Sequence, residues 1–188
     1  MPGHSSTRLT YADYVRFPDD GLRHEIIEGE HYVTPSPVSR HQVILGDLYY
    51  LMRKHLETHP IGEVFLSPLD VLLSDTNVFV PDLLYVSRER SWLITSKNLQ
   101  GPPDLVVEIL SPGTKSRGRT LKREVYERTG VDEYWLVDPD HDEVEVFRRA
   151  GAVFLPPLRY QKSDVLTTPL LPGFELPLEQ ALRLGTGP

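Results

Sequence analysis

The stretch Asp104-Leu105-Val106-Val107-Glu108-Ile109-Leu110 decides the fold. Its apolar residues fill a strand length between Pro103 and Pro112, the pattern of a strand covered on both faces. The glutamate in its middle is out of place. An ionised carboxylate in an apolar interior costs on the order of several kcal/mol unless a cation stands beside it. The chain repeats the oddity upstream in Val78-Phe79-Val80-Pro81-Asp82-Leu83-Leu84-Tyr85-Val86, where Asp82 interrupts a second apolar run. Two carboxylates in two buried strands, with lysines following the second, point to a divalent-metal site.

Working outward, a helix is expected from about Thr114 to Arg128, ended by Gly130. A hairpin of Glu133–Val137 and Glu143–Phe147 follows it. This strand–helix–strand order implies a parallel pair inside a mixed central sheet flanked by helices, an α/β fold. Upstream, Thr10 to Phe17 reads as a short helix and His24 to Thr34 as a hairpin around Glu28-Gly29-Glu30. Ser39 with Gln42 makes a capping box for a helix carrying Ile44, Leu48, Leu51, Met52 and Leu56, closed by Pro60. Strands are expected around Val64–Leu73 and Val78–Val86, and a short helix from Arg90 to Lys97. Residues 1–188 form a single domain in this reading, with a core of about 10–150 and a Pro-rich wrap over 151–188.

Composition sets the outer bounds. A chain of 188 residues, 39% hydrophobic, can bury a two-sided sheet. No run approaches the ~18 apolar residues of a membrane span, and Met1-Pro2-Gly3-His4-Ser5-Ser6 lacks a secretory pattern, so a cytoplasmic location is expected. The absence of cysteine excludes disulfides and thiolate metal sites. The net charge of −7 argues against indiscriminate nucleic-acid binding. It hides a local reversal: Thr114 to Gly130 holds Lys115, Arg117, Arg119, Lys122, Arg123 and Arg128 against Glu124 and Glu127.

Several motifs dissolve on inspection. Asp138-Pro139-Asp140-His141-Asp142 opens like a calcium loop, but Glu143 stands where the loop needs glycine and Arg149 where it needs glutamate, so a hairpin turn is expected. Gly113-Thr114-Lys115-Ser116 lacks the glycine directly before the lysine of a phosphate-cradling loop. His55 and His59 lack the glutamate of a zinc-protease helix, and no G-x-S-x-G elbow is present.

The Asp82/Glu108 pair survives. Its plainer explanation is structural, each acid capping a loop or pairing with a lysine. Two acids in strands expected to neighbour one another, with a basic helix next, favour a metal instead. Mg²⁺ takes one or two carboxylates and completes its shell with waters and phosphate oxygens. Lys122 lies one helical turn from Tyr126 at the border of the Leu121/Val125 stripe. From there it can bury its stem and aim its ammonium at Glu108, although an ordinary surface lysine fits the pattern equally well.

At this point the residues resemble a known family. Pro81-Asp82 followed by Glu108-Ile109-Leu110 looks like the PD…(D/E)-x-K signature of restriction-endonuclease-like nucleases. More closely, the chain resembles the bacterial Uma-two family. The matching stretches are Arg23–Glu30, Ser39-Arg40-His41-Gln42, Pro81–Val86, Asp104–Pro112, Lys122–Tyr126 and Gly130–Pro139, in the right order over most of residues 10–150.

The resemblance implies a restriction-endonuclease-like fold and Mg²⁺-dependent hydrolysis of DNA phosphodiesters, with Mn²⁺ as a substitute. It makes Asp82 and Glu108 the metal ligands and Lys122 the catalytic lysine, displaced from the position of Leu110. Glu25 becomes the additional acid, with Glu28 as its rival. Lys115, Arg117, Arg119 and Arg123 would contact the DNA backbone, and cutting both strands implies a homodimer. The chain departs from the family at Gly118, where members often carry an acid. A weakly active or inactive nucleic-acid-binding module on the same fold, or a small-molecule phosphoesterase, are the competing readings.

Overall fold

In the computed structural model, residues 8–111 and 118–183 are described. The deciding stretch forms a strand over Leu105–Ile109, every residue of it buried, inside a seven-stranded mixed sheet. In chain order the elements begin with α1 (Tyr11–Tyr14), the hairpin β1 (Arg23–Ile27) and β2 (Glu30–Thr34), and the long helix α2 (Ser39–Thr58). Four strands follow: β3 (Gly62–Leu66), β4 (Val71–Ser74), β5 (Asn77–Phe79) and β6 (Leu83–Ser87). A 3-10 turn over Arg88–Leu93 leads to β7 (Leu99–Gln100) and then β8 (Leu105–Ile109). Beyond it come a turn of π-helix over Gly118–Lys122, α3 (Arg123–Thr129), β9 (Glu133–Asp138) and β10 (Glu143–Ala150). The chain closes with β11 (Val153–Phe154), β12 (Leu158–Gln161), β13 (Val165–Leu166), β14 (Leu176–Pro177) and α4 (Leu178–Ala181).

The large sheet runs β11-β10-β9-β8-β6-β3, with β12 also on β10, and a five-stranded sheet runs β2-β1-β5-β4-β7. β8 and β9 are parallel, as the strand–helix–strand order requires, whereas β6 meets β8 antiparallel. The two faces of β8 separate by alternation. Leu105, Val107 and Ile109 pack with Ile44, Leu48 and Met52 of α2. Val106 and Leu110 pack with Val125 and Tyr126 of α3. Burying each such aliphatic side chain contributes roughly 1.5–3 kcal/mol, so a strand apolar on both faces demands a helix on each.

Several local expectations are corrected. The runs Val64–Leu73 and Val78–Val86 are not single strands. Each is divided, with β3 and β6 in the large sheet and β4 and β5 in the small one. Pro68 and Pro81 stand in the two crossings, where a residue without an N–H costs no ladder hydrogen bond. Asp82 therefore occupies the break between β5 and β6 rather than a strand interior. Ser39 is the first helical residue of α2, Val38 holds the N-cap position, and no side chain caps it, so there is no capping box. The helix expected over Arg90–Lys97 is the 3-10 turn Arg88–Leu93, which ends four residues earlier, and the first helix covers only Tyr11–Tyr14. The Pro-rich segment is more than a surface wrap, because Leu166, Leu171, Phe174, Leu176, Leu178 and Leu182 join the α2 core. The loop Gly113–Ser116 lies outside the described residues.

Candidate active site

The site lies where the two sheets exchange strands. Glu25 comes from β1 of the small sheet, Asp82 from the crossing between the sheets, and Glu108 from β8 of the large one. β6 pairs with β8 as Leu83↔Val107, so extending that register by one residue sets Asp82 opposite Glu108. Lys122, at the end of the π turn, brings its ammonium between two of these acids. Its Nζ donates to Glu25 Oε1 at 2.7 Å and to Glu108 Oε1 at 2.8 Å. A π turn widens the helix locally and re-aims its side chains, a feature frequent at functional sites.

Each carboxylate is held further. Glu25 Oε1 also accepts the Val80 N–H at 2.9 Å, and Glu108 Oε1 accepts the Tyr126 hydroxyl at 2.9 Å. Arg23 donates to Asp82 Oδ1 at 2.5 Å, while the Ile109 N–H at 2.8 Å and His41 Nε2 at 3.1 Å meet Oδ2. The other ring nitrogen of His41 is buried with no hydrogen-bond partner among the described residues.

Electrostatics pull the acids apart. Burial pushes Asp82 up, but the His41 hydrogen bond and the Arg23 charge outweigh it and bring its pKa down to about 2. Burial raises Glu108, and nearby Asp82 and Glu25 add to the rise while Lys122 opposes it. Burial disfavours the charged lysine, yet Glu108 and Glu25 together hold Lys122 above its ordinary value. Burial, followed by the Glu108 charge, keeps the Tyr126 hydroxyl protonated.

Three carboxylates thus face two fixed cations, Arg23 and Lys122. Other buried acids close their accounts structurally. Asp104 accepts Ser87 N–H at 2.7 Å, and Glu133 takes Trp135 Nε1 and Arg148 Nε, each at 2.8 Å. The site differs because two of its acids, Asp82 and Glu108, border open space. Arg23, His41, Asp82, Glu108 and Lys122 line a cavity of about 130 Å³ walled by Thr34–Val38. Glu108 uses only Oε1 in hydrogen bonds among the described residues, which leaves Oε2 to that cavity. Oxygen-only donors and an uncompensated negative charge suit a hard cation that keeps most of its waters. No group of three or more His, Cys, Asp or Glu among the described residues is arranged to hold an ion.

The remaining predicted residues scatter. Glu28 sits in the β1–β2 turn at φ 55° and pairs with Arg128 at the surface, away from the cavity, so Glu25 is the acid that joins the cluster. The Arg119 guanidinium is engaged by Asp138 at 2.8 Å and by Glu145. Arg123 lies over the Phe147 ring at 5.6 Å. Lys115 and Arg117 lie outside the described residues. Sequence reasoning gave no role to Arg23 and His41, the two side chains that hold Asp82. Their only signal was membership in the matching stretches Arg23–Glu30 and Ser39–Gln42. Tyr126 had a physical signal, its place one turn beyond Lys122.

The profile of the Uma2 family, described as "Putative restriction endonuclease", matches residues 11–179. The fold is shared with the crystal structure of a "putative nuclease belonging to DUF820" from Anabaena variabilis. That likeness has a TM-score of 0.79 at 21% identity and covers 93% of this chain and 97% of that one. No curated protein matches the chain. With nine-tenths of its length matched by the family profile, the chain belongs to the Uma2 family.

Proposed function

We propose that this Uma2 chain is a metal-dependent endonuclease that hydrolyses DNA phosphodiester bonds. The observation that carries the reading is Lys122, buried between Glu25 and Glu108 at the wall of the cavity that Asp82 also lines. A buried lysine held charged beside carboxylates at an open cavity is placed to act on developing negative charge.

Asp82 and Glu108 would hold Mg²⁺ or Mn²⁺, which when bound supplies Lewis acidity toward a phosphoryl oxygen and a more acidic water. The chain's own side chains do the rest. Arg23 and His41 fix the Asp82 carboxylate from two sides. Tyr126 fixes Glu108 Oε1, so that Oε2 is presented to the cavity. Lys122 keeps its proton next to two acids and offers it as a hydrogen bond to the phosphoryl oxygens as charge grows on them. Arg123, with Lys115 and Arg117, supplies backbone contacts that set register without reading sequence. On a duplex substrate, cutting both strands would take two such sites, which is the case for a homodimer. No helix among the described residues is long and apolar enough to cross a membrane.

The test is cleavage of plasmid and linear DNA with Mg²⁺, with Mn²⁺ and with chelator, for the wild type and Asp82→Asn. Metal-dependent cleavage lost in the variant supports the reading. DNA binding without cleavage in any metal would favour an inactive binding module, and hydrolysis of small phosphoesters alone would favour a small-molecule enzyme.

A further inference from the structure

The catalytic cavity is recessed. Glu25 and Asp82 are 1% exposed, Lys122 6% and Glu108 7%. With a volume of about 130 Å³ the cavity is too small for a nucleotide, since ligand-sized pockets begin at roughly 300 Å³. A second cavity of about 390 Å³ adjoins it and shares the wall formed by Arg23, His41 and Asp82. The second cavity does reach ligand size. Leu22, Pro37 and Pro68 give it apolar surface, and Ser36, Gln42 and Ser67 give it hydrogen-bonding groups. Those three polar side chains make no hydrogen bond among the described residues. Apolar walls with a few unengaged polar groups are the makeup of a small-molecule site.

We infer that this outer cavity receives the nucleoside next to the scissile phosphate, so that the substrate enters as an unpaired DNA strand. The inference rests on the nuclease reading and narrows its substrate. A phosphate that reaches Glu108 and Lys122 must leave the surface of the nucleic acid and enter a recessed cavity of which Arg23 forms one wall. The nucleoside attached to it must then occupy the adjoining space. A duplex is stiff over ~150 base pairs and keeps its bases stacked between two backbones. It can deliver neither group without unpairing, which costs on the order of a few kcal/mol per nucleotide. An unpaired strand bends its backbone inward and turns one base against the prolines, as single-strand-binding grooves do with stacking surfaces. Arg23 stands at the junction of the two cavities. Its guanidinium is anchored on Asp82 Oδ1 and its side chain is 19% exposed, so its outer edge faces the path of the strand. A single strand also needs only one such site.

Fluorescence anisotropy in chelator, without turnover, tests this with three labelled DNAs: a short single strand, its blunt duplex, and the same duplex with an unpaired bulge. The single strand and the bulge should bind about tenfold tighter than the blunt duplex, the worth of one stacked base. Ser67→Trp, which fills the outer cavity from its rim, should erase that difference while its melting temperature stays that of the wild type. Equal or tighter binding of the blunt duplex overturns the inference, and so does undiminished preference in a folded Ser67→Trp protein. Failure to bind any of the three overturns it as well. The nuclease reading is judged separately by metal-dependent cleavage: duplex cut as fast as single strand would sink this inference and leave that reading standing.

Discussion

Lys122 Nζ lies 2.8 Å from Glu108 Oε1, although the lysine sits on the helical segment after the strand that carries the glutamate. Both side chains are buried, and the lysine is shared with Glu25. A single cation therefore serves two carboxylates drawn from two different sheets.

Lys122→Ala should abolish cleavage and also destabilise the protein. Removing the shared cation leaves two buried acids with hydrogen bonds from Val80 N–H and the Tyr126 hydroxyl but no countercharge, a loss of roughly 3–5 kcal/mol for a broken buried pair. Thermal melts of the metal-free protein check it. Restoration of the melting temperature by divalent metal, without restored cleavage, would separate the catalytic from the structural share. A metal-free variant that melts with the wild type contradicts the buried triad.

Glu108→Gln should behave in the opposite sense. The amide oxygen can still accept from Lys122 and Tyr126, and the repulsion among Glu108, Asp82 and Glu25 is relieved. The folded-state pKa of Glu108 is raised above 4.5, so between 4.5 and that raised value the native protein holds a proton that the unfolded chain has released. Stability from this group is greatest at low pH and falls as pH rises from 4.5 through the raised value. Near neutral pH the variant should melt no lower than the wild type, and the gap should close toward pH ~4. A drop in melting temperature at neutral pH refutes the prediction.

Asp82 carries the reverse sign. Its folded pKa of about 2 lies below the ordinary 3.8, so its contribution is fully present above 3.8 and is lost as pH falls toward 2. The shift corresponds to roughly 2 kcal/mol. Asp82→Asn should remove that part of the acid-unfolding limb and take the carboxylate countercharge from Arg23, which lowers stability at neutral pH too. Urea titrations at several acidic pH values compare the two limbs directly.

Arg119 and Arg123 should part company. Arg119 holds the nearly buried Asp138 and Glu145, so Arg119→Ala should cost about 1–3 kcal/mol of stability, the penalty for polar groups left unsatisfied. Arg159 and His141, also on these acids, keep that loss from being larger. Arg123→Ala should leave the melting temperature nearly unchanged and reduce the salt slope of DNA binding by about one. A changed salt slope in the Arg119 variant, with unchanged stability, would assign Arg119 to the nucleic acid instead.

The sequence determined those features whose causes are local. An apolar run covered on both faces announced β8 and the helices above and below it, because burial on two sides leaves no alternation to read. Glu108 was legible for the same reason, as the one charge in that run. The helical offset of Lys122 and Tyr126 from Val125 placed them at the border of a buried stripe. Gly130, at φ 101°, ended its helix where a left-handed residue was needed. Tertiary structure alone decided the rest. Pro68 and Pro81 mark where the chain changes sheets, but a continuous apolar run gives no sign that its two halves pair with different neighbours. Only that exchange puts Asp82 opposite Glu108 and brings Glu25 within reach of Lys122. Arg23 and His41 meet Asp82 across 59 and 41 residues of chain, respectively. Contacts between residues so far apart depend on how the two sheets close on each other, and no periodicity along the chain records that closure.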